Sequence, residues 1–232
     1  MQLFIPDDAE IFNIDYLWKA DRITLSERMP LWDVETVEFL LMEGADIHAD
    51  DDFVIRQASM MGLDNIVQVL LDDGANVEIA AHIGEPLTVA SRCGHVEVVK
   101  LLLKAGAVVN KVDYHGQCEA LNYACEAGHV QVVELLLKAG AKIQGYALRQ
   151  ACFNGHIDVV RLLIKRGADG LEENSRIKRT RPAPRLAGNF EWIGGGMIHG
   201  LPGRNARFFA KAGGHTEIVE LLERHFDFPE YD

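Results

Sequence analysis

The sequence predicts an all-α solenoid of about six helix–turn–helix units, with hairpin or tight-turn connectors, rather than a single globular core. Two observations predict it. The first is a phrase that recurs along the chain: GLDNIVQVLLDDGAN from Gly62, GHVEVVKLLLKAGAV from Gly94, GHVQVVELLLKAGAK from Gly128, GHIDVVRLLIKRGAD from Gly155 and GHTEIVELLERHF from Gly214. The second is its spacing. In each complete copy a second glycine follows twelve residues after the first, at Gly74, Gly106, Gly140 and Gly167. Phased repetition of this kind means stacked units, each unable to bury its apolar face alone.

Each part of the unit has a physical reason. Four residues before the first glycine stands an alanine in every copy (Ala58, Ala90, Ala124, Ala151, Ala210), and seven before it an apolar residue in four of them (Ile55, Leu87, Leu121, Leu148). That spacing predicts a helix, here helix A, with a small residue where another helix must come close. The glycine and the histidine after it in four copies predict a tight turn with a positive φ. Helix B follows. Its apolar residues, such as Val98, Val99, Leu102 and Leu103, form a stripe that only a neighbouring unit can cover. Gly106 and Gly140, with Lys104 and Lys138 just upstream, predict glycine-terminated helices with cations at the negative end.

The first unit keeps a good helix B over 34–44 (VETVEFLLMEG) but has Trp32 and Asp33 in place of Gly-His. A terminal unit has one face without a neighbour, so such degeneracy suits a cap. The last unit follows the same logic: Glu223 stands where inner units carry Leu71, Leu103, Leu137 and Ile164. Between units, the span from the second glycine of one to the first glycine of the next is 18, 20, 22, 15 and then 47 residues. All length variation therefore lies in one connector.

These phrases resemble the ankyrin repeat family, whose motifs include G-H-x-x-V-V-x-L-L, G-A-x-x-N and T-P-L-H-x-A. The G-H and G-A parts match closely; of the T-P-L-H part, Glu85-Pro86-Leu87-Thr88 is the nearest copy. The resemblance covers about residues 20–226. It implies an N-terminal arm over 1–17, a solenoid over 18–226 with a long insertion over 172–203 in the last repeat, and a C-terminal tail over 227–232. It also implies binding of another protein through a concave wall of connectors and inner helices. On helix A that wall would carry Arg56, Met60, Thr88, Arg92, Asn122, Tyr123, Glu126, Arg149 and Phe153. At or beside the connector tips it would carry Asp50 to Asp52, His82, Tyr114, His115 and Tyr146. The short connector before Ala147 is similar to those of ankyrin arrays from viruses and from bacteria that live in host cells, which implies interference with a host protein as one role.

Composition sets the class. The chain has 232 residues, 48 % of them apolar, and no apolar run approaching the ~18 residues of a membrane span. Its start, MQLFIPDDAE, lacks the basic residues and long apolar stretch of a secretion signal. An intracellular protein, cytoplasmic or nuclear, is expected. The four cysteines, Cys93, Cys118, Cys125 and Cys152, contain no CxxC, which predicts buried free thiols rather than disulfides or a zinc site. No cofactor or metal is expected, and no catalysis. GxxxxGK[ST], HExxH and GxSxG are all missing. His95, His129, His156 and His215 all occupy the turn, where a structural role explains them, and Cys118, near His115 and Glu119, sits in a connector without a pocket.

Charge is segregated. Residues 1–76 hold seventeen acidic against four basic residues, whereas residues 138–211 hold fourteen basic against five acidic. The net −12 of the chain hides a dipole along the solenoid, which would steer an oppositely charged partner to one end or stack copies head to tail; otherwise a monomer is expected. The insertion contains Arg176, Lys178, Arg179, Arg181 and Arg185 around Pro182 and Pro184, then Phe190, Trp192 and a run of glycines. Arginine and tryptophan often carry interface energy, so the insertion is a second candidate docking element. The expected function is an adapter or inhibitor that binds a partner protein. The alternative is a nucleic-acid-associated protein using the basic C-terminal half, against which stand the acidic first third and the missing recognition motifs.

Overall fold

The structure is a computed structural model that describes residues 33–78, 85–111, 119–170 and 205–228. The described residues contain eleven helices and no strand. A single helix, α1 (Val34–Met42), precedes five helix pairs. The pairs are α2 (Ala49–Met61) with α3 (Asp64–Asp72), α4 (Pro86–Cys93) with α5 (Val96–Lys104), α6 (Glu119–Ala127) with α7 (Val130–Lys138), α8 (Gly145–Phe153) with α9 (Ile157–Lys165), and α10 (Ala206–Ala212) with α11 (Thr216–His225). The first members of the pairs stack on one another as one layer, and α1 with the second members forms the other. The expected solenoid is therefore present, and the residues that would begin the first unit lie outside the described residues.

The α6–α7 unit shows why the phrase repeats. Ala124 is fully buried, and its carbonyl accepts the backbone N–H of His129 at 3.0 Å. Between them Gly128 turns the chain at φ 78. The ring of His156, from the next unit, lies over that glycine: a Cβ there would meet Nδ1 at 2.5 Å. From this position His156 Nε2 donates to the carbonyl of Glu126 at 2.8 Å, the carbonyl fixing which ring nitrogen bears the proton. The same tie joins His95 to Met60, His129 to Arg92 and His215 to Phe153, at 2.9, 3.0 and 2.9 Å. The turn histidines are thus fasteners between units, each reaching back one repeat.

Helix B then buries Val132, Val133 and Leu136 completely, with Leu137 half-buried at the edge of the stripe. Its end is a Schellman motif: Gly140 N–H donates to Leu137 at 3.2 Å and Ala141 N–H to Leu136 at 2.9 Å, with Gly140 at φ 92. Asn110 stitches this end to the unit before, accepting from Lys142 N–H at 2.8 Å and donating to the Gly140 carbonyl at 2.9 Å. At the start of the described chain, α1 is capped by Asp33, whose carboxylate accepts Thr36 N–H at 2.8 Å and Thr36 Oγ1–H at 2.7 Å. These hydrogen bonds, the side-chain one foremost, hold the Asp33 carboxyl below its ordinary range.

Two expectations are corrected here. Asp50 to Asp52, expected in a connector, lie in the first turn of α2. Asp46 accepts His48 N–H at 2.9 Å and so turns the chain early. Buried Asp52, at φ 53, contacts His48 Nδ1 at 2.6 Å. The second correction is Cys93, which is exposed, although Cys125 and Cys152 are buried as expected. Buried Cys125 and Cys152 stand three residues before the turn glycine and Cys93 one before, about 200° around the helix at 100° per residue. Cys118 lies outside the described residues.

At the last pair, the Gly170 carbonyl accepts Ala206 N–H at 3.2 Å, so the chain departs and returns at one place. The Phe226 ring stands on Gly170, where a Cβ would lie 2.6 Å from it, and packs edge-on against Phe228 at 6.0 Å.

Candidate partner-binding surface

The exposed side of the helix A layer is assembled from one position per unit. Two residues before the turn glycine stand Met60, Arg92, Glu126, Phe153 and Ala212. The first four are the residues whose carbonyls accept the turn histidines. The fold therefore holds these positions by their backbone and leaves the side chain open to variation. Met60, Arg92 and Glu126 are exposed, while Phe153 is half-buried against the core.

Around them the aromatic and cationic side chains pair. The Arg92 guanidinium lies 5.8 Å from the ring centroid of Tyr123, linking α4 to the half-buried tyrosine of α6. Half-buried Arg56 lies 5.9 Å from the Phe53 ring within α2. Such pairs contribute about 0.5–1 kcal/mol at exposed sites and hold the guanidinium in one place. Met60, Arg56, Arg92 and Tyr123 thus share one side of neighbouring helices.

Four of the expected surface residues, Thr88, Asn122, Arg149 and Tyr146, are placed differently. Arg149 is only 6 % exposed, with its guanidinium 5.9 Å from the Phe209 ring of α10. It occupies the same repeat position as buried Thr88 and Asn122, the position that faces the next helix A. Arg149 is therefore an element of packing between α8 and α10, not of the open surface. Tyr146, expected near a connector tip, lies in the first turn of α8 and is half-buried, because the short connector lets that helix start at Gly145. His82, Tyr114, His115, Arg176, Lys178, Arg179, Arg181, Arg185, Phe190 and Trp192 lie outside the described residues.

Sequence reasoning missed two features. One is a cationic bridge: Lys111 forms an ion pair with buried Glu85 and stands 3.8 Å from Glu78, which in turn accepts Val108 N–H at 2.6 Å. No regular spacing announces it. The other is a cleft of 390 Å³ on the opposite layer, between α9 and α11, lined by Arg161, Ile164, Lys165, Leu221 and His225. No local pattern marks it, because its lining comes from two helices far apart in the chain.

Among the described residues no helix is long and apolar enough to cross a membrane, and no group of three or more His, Cys, Asp or Glu is arranged to hold a metal ion. A family model described as ankyrin repeats (3 copies) matches residues 32–113 and again 111–174. No curated protein matches the chain. Ankyrin repeats are modules of protein–protein interaction, and proteins made of them typically bind rather than catalyse. With more than half of the chain matched, and with the turn glycines, the fastening histidines and the two stacked helix layers on which those motifs depend, the protein belongs to the ankyrin repeat family.

Proposed function

We propose that this protein acts by occupancy, as an adapter or inhibitor that holds a partner protein against the open side of its helix A layer. The insertion over 172–203 would contribute a second, basic and aromatic contact. The observation that carries this reading is a contrast within the repeat. Positions that build the fold recur nearly unchanged, while the position two before the glycine, exposed in all units but that of half-buried Phe153, holds methionine, arginine, glutamate, phenylalanine and alanine in turn. Packing does not demand that variety, and a partner-specific wall does. Arg92 and Tyr123, already paired with the guanidinium 5.8 Å from the ring centroid, form an anchor of the type that dominates interfaces.

The test is affinity capture from nuclease-treated lysate by the intact chain, by Arg92→Ala/Tyr123→Ala, and by a chain lacking 174–203. A protein retained by the intact chain and lost by the double variant supports the helix A wall; loss with the deletion supports the insertion. Retention unchanged in both variants, or capture only when nuclease is omitted, overturns the reading, the latter in favour of nucleic acid.

A further inference from the structure

We infer that this chain binds a second copy of itself, α1 of one copy seating in the cleft between α9 and α11 of the next. Neither surface belongs to the helix A wall, so this assembly stands or falls separately from the proposed function.

The cleft arises from how the solenoid ends. In inner units a glycine C-terminal to helix B returns the chain to the stack, whereas α11 ends at Phe226 in extended conformation (φ −130, ψ 140) and crosses to Gly170. α9 and α11 are less closely packed than the other neighbouring B helices. Half-buried Ile164 and buried Leu221 form the floor of the cleft, bordered by Arg161, Lys165 and His225. Arg161 stands 3.8 Å from the Glu217 carboxylate, and both side chains are largely solvated. The cleft thus joins apolar lining to a basic rim.

α1 presents the complement. Val37 faces the stack, while Phe39 is 55 % and Met42 85 % exposed. Glu35, Glu38 and Glu43 are exposed beside them, and the five residues fall at the three- and four-residue spacings of one helical stripe. Two exposed apolar side chains flanked by three carboxylates therefore face a groove with an apolar floor and the cations Arg161 and Lys165 on its rim. A helix laid in a groove is a common recognition mode, and opposite charge aligns the two. One chain cannot satisfy both surfaces by itself. Helices α3, α5 and α7 stand between α1 and α9 in the same layer, and packed helices are spaced by about 8–10 Å, which separates the surfaces by about 30–40 Å. Because the two surfaces differ, each bound pair still offers a free α1 and a free cleft, and the assembly is open-ended.

The experiment is sedimentation velocity on the full chain over a concentration series at low and high salt, with two variants. Phe39→Ser/Met42→Lys spoils α1, and Arg161→Glu/Lys165→Glu spoils the cleft. The wild type should grow past the dimer with concentration and shrink in about 0.5 M salt, where the Debye length falls to a few Å. Each variant alone should self-associate at least about tenfold more weakly, while an equimolar mixture of the two should form a one-to-one dimer and nothing larger, since each retains one competent surface. That heterodimer also certifies that both variants are folded; circular dichroism melts check it independently. A wild type that remains monomeric up to about 1 mM overturns the inference. So does a wild type that stops at a dimer, or one whose association neither variant changes.

Discussion

Exchanging two glycines of the same unit for alanine should separate the two reasons the repeat has for glycine. Gly140 sits at φ 92 with nothing within 4 Å of where a Cβ would be. Gly128 sits at φ 78 with the His156 ring in that place, Nδ1 at 2.5 Å. A left-handed backbone costs an L-residue about 1–2 kcal/mol, and the stiffer unfolded chain returns about 0.4–1 kcal/mol. Gly140→Ala should therefore destabilise by about 1 kcal/mol. Gly128→Ala has the same backbone term and also expels the ring, breaking the His156 to Glu126 hydrogen bond, a further loss of about 0.5–1.5 kcal/mol before ring packing is counted. Its total should be about 2–3 kcal/mol. The assay is urea unfolding followed by circular dichroism, repeated in a His156→Ala background. There the ring is gone, and Gly128→Ala should fall back to about 1 kcal/mol, a coupling of about 1–2 kcal/mol between residues of adjacent units. If Gly128→Ala costs within about 0.5 kcal/mol of Gly140→Ala, or costs the same with and without His156, the histidine is not the fastener described above.

Leu102→Ala empties a fully buried site on α5 and should destabilise by about 2–5 kcal/mol in urea unfolding; less than about 0.5 kcal/mol would mean the helix B stripe is misassigned. Deleting 174–203 should leave the thermal midpoint nearly unchanged, because the Gly170 to Ala206 hydrogen bond and the Phe226 ring hold the base of the insertion; collapse would show that the insertion itself closes the last pair. Arg149→Ala should destabilise by about 1–3 kcal/mol through the packing it leaves behind, whereas exposed Arg92→Ala should cost no more than about 1 kcal/mol, the worth of its pair with Tyr123, both read by thermal melts. In native protein a maleimide should modify Cys93 and spare Cys125 and Cys152 until unfolding, as located by peptide mapping. Burial pushes both buried thiols up, Cys152 to about 12 from an ordinary 9.0. Their stabilising contribution is thus complete below about pH 9 and is lost as pH rises toward 12, so replacing both by alanine should flatten the alkaline decline in stability.

How much of this fold could be read in advance depends on whether a feature repeats. The positive φ of the turn glycines, the buried alanine four residues before and the helix B stripe are each imposed once per unit by the same geometry, so five copies of the phrase announce them together. The histidine in the turn was recognisable as structural, but its target was not. The carbonyl it reaches belongs to the preceding unit, 30 residues back for His156 and 62 for His215, and no local pattern encodes that distance. Asn110 is the opposite case: the family's G-A-x-x-N phrase marks it at Gly106-Ala107-Val108-Val109-Asn110, and its bonds to Gly140 and Lys142 give the reason for the motif.

The surface was harder to read because one repeat position can face solvent in one unit and a neighbour in another. Arg56, Thr88, Asn122, Arg149 and Phe208 occupy equivalent places six residues before the turn glycine, yet Arg56 is half-buried and Arg149 nearly closed off. Beside Arg149, α10 sets the Phe209 ring against the guanidinium, whereas the ring near Arg56 comes from its own helix. A similar asymmetry separates the two layers. Charge segregation along the chain was evident from counting, but counting does not say which layer bears it, and the cleft that brings Arg161, Lys165 and His225 together lies beside α11, which ends at Phe226 without the glycine that follows an inner helix B. The end of a solenoid is where the repeat stops dictating geometry, and it is there, at α1 and at the α9–α11 cleft, that the described residues bring exposed apolar side chains and carboxylates to one end and cations beside an apolar floor to the other.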